Sequence, residues 1–102
     1  IRTYGDWFRL GDEIKEELAD IRRAIDETRY DLRCYERAAK RWDHGGPPDP
    51  DCIFRRFAAR RQKRLDFERA IRDELKEGLR EMKRQDSAEA RLWKKYEKEL
   101  RA

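Results

Sequence analysis

From Ile14 to Trp42, a residue able to enter a core recurs at alternating steps of four and three: Ile14, Leu18, Ile21, Ile25, Thr28, Leu32, Tyr35, Ala39 and Trp42. That is a heptad seam, the single apolar edge of a helix that packs against a partner helix. Thr28 and Ala39 are its weak members. Nearly everything between these positions is charged, and the segment holds no Pro or Gly. The spacing predicts one helix over residues 13–43.

Residues 44–49 form the clear break. Gly45 and Gly46 stop the helix, and Pro47 and Pro48 prevent its continuation. Asp49 reads as an N-cap and Pro50 as the first helical residue, where its missing N–H costs nothing. A short connection between two long helices implies antiparallel neighbours. The second helix is expected over 50–84, with Phe54, Phe57, Ala58, Leu65, Ile71, Leu75, Leu79 and Met82 as its apolar set. Its stripe is less regular: Arg61 and Glu68 occupy seam positions, and Phe67 falls outside. Gly78 lies within it.

Asp86-Ser87-Ala88-Glu89 resembles a capping box and predicts a short third helix over 86–101, with Leu92, Trp93, Tyr96 and Leu100 as its face. The alternative is one unbroken helix from Pro50 to Leu100. The seam phase carries across to Trp93, Tyr96 and Leu100, but it would place Asp86 and Glu89 in the core, so a break near Gln85 is favoured. Residues 1–12 form an aromatic lead-in whose glycines, Gly5 and Gly11, leave its helicity open. The expected fold is all-α: a long antiparallel helical hairpin with a coiled-coil-like seam and a short C-terminal helix, one unit over residues 1–102.

Composition narrows the function. Charged residues make up 49% of the 102, and there is no Val, which argues against a sheet protein. No apolar run approaches the length of a membrane span. One His, one Ser and two Thr leave the usual catalytic inventory almost empty, so no enzyme and no cofactor are expected. The chain starts at Ile1 without a signal-peptide pattern, which leads us to expect a removed leader or a start within a longer protein.

A two-helix hairpin has little core for its length. Trp7, Phe8, Phe67 and Trp93 lie off or beyond the main seam. They either close the hairpin ends or form a docking surface, since large aromatics are typical interface anchors. With Trp42 and Tyr96 they make up the candidate protein interface. Charge is unevenly placed. Residues 12–31 hold eight acids and four bases, whereas residues 51–64 hold six bases and one acid. Folding the chain at residues 46–47 gathers a basic patch at the hairpin tip: Arg37, Lys40, Arg41, Arg55, Arg56, Arg60, Arg61, Lys63 and Arg64. Such a tip suits RNA, anionic lipid headgroups or an acidic protein surface, or is merely solvated.

His44, Asp43, Asp49, Asp51 and Cys52 match no zinc or calcium spacing, so no metal site is expected. A thiolate pair of His44 with Cys34 or Cys52 would lack a third group to orient the base. Cys34 and Cys52 are a candidate disulfide. A symmetric hairpin sets them about 11 Å apart along the axis, beyond bridging reach, so a bond needs the first helix to end early or the loop to fold back.

The run Pro50-Asp51-Cys52-Ile53-Phe54, with Arg61-Gln62-Lys63, Leu65, Phe67-Glu68 and Ala70 beyond it, resembles the PDSW-type accessory subunit of mitochondrial respiratory complex I. The order of a basic aromatic-bearing helix from Arg29-Tyr30 to Arg41, an acidic Pro/Cys turn and a second basic helix is similar too. The resemblance implies a non-catalytic subunit on the intermembrane-space side of the inner membrane, clamped to other subunits and without catalytic residues. That family carries paired, disulfide-forming cysteines. Here only Cys52 corresponds, and Leu79 or Arg80, and Leu92, stand where further cysteines belong.

The expected function is a structural accessory subunit, peripheral to the mitochondrial inner membrane, that binds other protein subunits and stabilises a larger assembly such as the respiratory-chain complex. The rival is a basic helical module that binds nucleic acid, as a ribosomal or chromatin-associated subunit. Strong salt-dependent binding to RNA or DNA would favour the rival.

Overall fold

A computed structural model describes residues 4–101, with side chains for residue 7 and residues 9–101. Two helices account for nearly all of it: α1, Tyr4–Trp42, and α2, Ile53–Arg101, packed against each other. No strand occurs among the described residues. The contacts divide the chain into two compact units, one of residues up to Leu18 and from Glu74 onward, the other of Ala19–Asp73.

In the Ala19–Asp73 unit the two helices run antiparallel. Thr28 faces Glu68, Asp31 faces Arg61, Tyr35 faces Phe57 and Trp42 faces Phe54. The heptad reading supplies this core. Ile25, Thr28, Ala39 and Leu65 are buried, and Ile21, Leu32, Tyr35, Phe54, Phe57, Ala58 and Ile71 are half-buried. The two irregular seam positions of α2 also face inward. Glu68 is 5% exposed and accepts a 2.5 Å hydrogen bond from Thr28 Oγ1, while the Arg61 guanidinium lies 3.7 Å from Asp31.

In the other unit, Leu18 is buried and Ile14, Leu75, Leu79 and Met82 are half-buried. Trp7 Nε1 donates to Asp86 Oδ1 at 2.7 Å. Met82 Cε lies 3.5 Å from where a Cβ on Gly11 would sit.

Three boundaries differ from the sequence expectation. The lead-in is helical from Tyr4, so α1 absorbs most of residues 1–12: Gly5 and Gly11 weaken a helix by about 1 kcal/mol each, and packing such as that between Gly11 and Met82 offsets this. The second helix begins at Ile53 instead of Pro50. The Asp49 carboxylate is taken by the amide of Asp51, only two residues on, which forms an Asx turn in place of a helix cap. Cys52 is the capping residue, its carbonyl accepting from the amides of Arg55 and Arg56.

The third difference is larger. Among the described residues there is no separate third helix, because α2 runs unbroken through Gln85 to Arg101. The expected break rested on keeping Asp86 and Glu89 out of a core. Asp86 instead answers the Trp7 indole, and residues 83–101 are exposed throughout, so Glu89 has no core to enter. Arg80 and Arg84, paired with Glu77 and Glu81 at 3.0–3.4 Å, support the helix where it was expected to stop.

Candidate functional site

The turn at Asp43–Cys52 is held by a polar clamp. His44 takes a left-handed φ of 51° and Gly45 one of 77°, which ends α1. Asp43 accepts both arms of the Arg55 guanidinium, and Arg55 Nη1 also reaches the Asp49 carbonyl at 2.8 Å. Asp49 accepts from the indole of Trp42 at 3.1 Å and from the amide of Asp51. The Arg55 hydrogen bond holds the Asp43 carboxyl below its usual range and raises Arg55 in turn. The Asp51 amide, followed by the Trp42 indole, does the same for Asp49. Beneath the clamp Cys52 is buried, 1% exposed.

This changes the membership of the basic patch. Arg55 belongs to the turn, Arg61 to Asp31, and Arg64 approaches the buried Glu68 at 3.9 Å. Arg37, Lys40, Arg41, Arg56, Arg60 and Lys63 are exposed and have no ion-pair partner among the described residues. Of the nine basic side chains named from the sequence, three therefore have an acidic neighbour and six have none among the described residues.

Cys34 is exposed on α1 and Cys52 buried in the turn, and both thiols are free. No disulfide joins them, because α1 continues to Trp42 and the loop does not fold back along it. Among the described residues no group of three His, Cys, Asp or Glu side chains could hold a metal.

The aromatics of the candidate interface divide. Trp7 is half-buried and used within its unit through Asp86. The Phe8 side chain lies outside the described residues. Trp42 is half exposed, yet it bonds Asp49 and meets Phe54 edge-on at 6.2 Å. Phe67, at 67% exposed, points away from the seam. Trp93 and Tyr96 are 65% and 52% exposed, meet edge-to-face at 6.0 Å, and share one face of α2 with the exposed Leu92 and Leu100.

That face has a definite origin. The α2 seam of its unit runs Leu75, Leu79, Met82, Asp86, Glu89, Trp93, Tyr96 and Leu100, in steps of four and three without a slip. Up to Asp86 it is occupied, and beyond Asp86 the same edge faces solvent. Glu89 lies at its start and Lys95 and Glu99 border it, while Arg91, Lys94, Lys98 and Arg101 fall on the opposite side by helical periodicity. Leu92 and Leu100 were foreseen on this face; its status as an uncovered stretch of the main seam depended on the helix being continuous.

No helix among the described residues is long and apolar enough to cross a membrane. Comparison with protein-family models, with curated proteins and with solved structures finds no match for this chain.

Proposed function

We propose that this chain is a non-catalytic helical docking subunit, which binds another protein through the seam edge formed by Trp93, Tyr96, Leu100 and the adjoining Leu92, and so stabilises a larger assembly. One observation carries the reading: a seam that packs in regular heptad steps continues for two further turns with its largest side chains in water. Four adjacent exposed apolar groups on one helix face are a cost without a partner and an anchor with one. The occupant that fits is a helix offering apolar side chains in the same register, as in helix-in-groove recognition. The resemblance to the PDSW-type subunit supplies one candidate assembly, mitochondrial complex I, with this chain peripheral to the inner membrane. The likeness does not extend to that family's disulfides, since only Cys52 corresponds to one of its cysteines. The rival reading, a nucleic-acid-binding module, draws on the six unpaired bases of the tip.

Native electrophoresis of source extracts tests the proposal. The wild-type chain is expected in a high-mass band, and Leu92→Ser/Trp93→Ser/Tyr96→Ser is expected to migrate free at unchanged helicity. Incorporation of the triple variant at the wild-type level would refute it. Migration that shifts on ribonuclease treatment and ignores the triple substitution would favour the rival.

A further inference from the structure

The outer face of α2 in the Ala19–Asp73 unit carries a second heptad pattern. Ile53, Arg56, Arg60, Lys63 and Phe67 follow one another at steps of three, four, three and four, all exposed. They lie on the side away from Phe54, Leu65 and Glu68, with Arg60 at its edge beside Tyr35 and Phe57, and cover about 21 Å of helix. The stripe is apolar at both ends and basic in the middle. Its three bases have no acidic partner among the described residues, whereas Arg55, Arg61 and Arg64, which are interleaved with them, are drawn to Asp43, Asp31 and Glu68.

We propose that this stripe is a second docking seam whose partner is an acidic amphipathic helix, apolar at the two outer heptad positions and carboxylate-bearing at the three between. Two features select a helix over a nucleic-acid strand. Ile53 and Phe67 sit two heptads apart in the same register position as Arg60, where a packed helix places its knobs, and a phosphate backbone gains nothing from Ile53. The three bases also rise along the axis in steps of about 4.5–6 Å, which matches carboxylates placed at three- and four-residue intervals on a facing helix. The seam is independent of the face at Leu92–Leu100 and adds the chemistry of a partner to the docking role.

The test titrates the full chain with three fluorescent probes at low and at physiological salt. One is a helical peptide with Leu, Glu, Glu, Glu, Leu at successive heptad positions. The second has the same charge with Ala at the two Leu positions, which keeps its helicity. The third is single-stranded DNA of similar length. The apolar-ended peptide is expected to bind at least about tenfold tighter than its Ala counterpart. Phe67→Ala should reduce that preference, and Arg60→Glu should weaken both peptides. Phe67 and Arg60 are exposed, so circular dichroism should show both variants fully helical. Equal binding of the two peptides, tighter binding of DNA with no dependence on Phe67, or no binding of either peptide would each overturn the proposal.

Discussion

Thr28 interrupts the apolar edge of α1, Glu68 interrupts that of α2, and the two side chains meet in the core. A polar pair within a seam contributes little net stability but penalises every register that separates it. Replacing Thr28 with Val leaves the Glu68 carboxylate without its hydroxyl donor. Chemical denaturation of Thr28→Val should show a loss of about 1–3 kcal/mol. The double variant Thr28→Val/Glu68→Leu should recover most of that loss. Equal stability of the wild type and the single variant would mean the pair does not form. The turn makes a different prediction. Asp43 and Asp49 titrate below the usual value of 3.8, so their contribution is complete above that pH and is lost as pH falls through their lowered values. In a His44→Gln background, which removes the neighbouring imidazole, the indole N–H resonance of Trp42, bonded to Asp49, should stay constant from pH 7 to pH 5 and move only below about pH 4. A shift centred at neutral pH in that background would contradict the clamp.

At the scale of elements, α1 was legible because its seam is regular and its interior lacks Gly and Pro. The turn was legible through Gly45 to Pro50. The start of α2 was not, because Asp49 has the chemistry of both an N-cap and an Asx turn, and only its contacts choose. The end of α2 was not legible either: Asp86 looks like a cap until Trp7, 79 residues earlier, is placed beside it. Gly78 is the weak point of this long helix. A Cβ there would meet nothing within 4 Å, so Gly78→Ala should stabilise the protein by about 0.5–1 kcal/mol in thermal or chemical unfolding. No gain, or a loss, would show that Gly78 is not in regular helix.

For the molecule as a whole, the sequence made plain an all-helical chain and its antiparallel pairing. It did not reveal that Arg55 is taken by Asp43, because the two lie twelve residues apart across the turn and no local pattern marks the pair. It treated Trp7 and Trp93 alike, although the Trp7 indole bonds Asp86 on the other helix while the exposed Trp93 meets Tyr96 of its own helix. The functional account therefore rests on the uncovered seam at Trp93, Tyr96 and Leu100. Photo-crosslinking in the native setting tests it most directly, with p-benzoylphenylalanine placed at position 96 and, as a control, at the exposed position 81. The account predicts a discrete adduct of this chain with a second polypeptide from position 96 and none from position 81. Only intrachain products at position 96, or the same adducts from both positions, would contradict it.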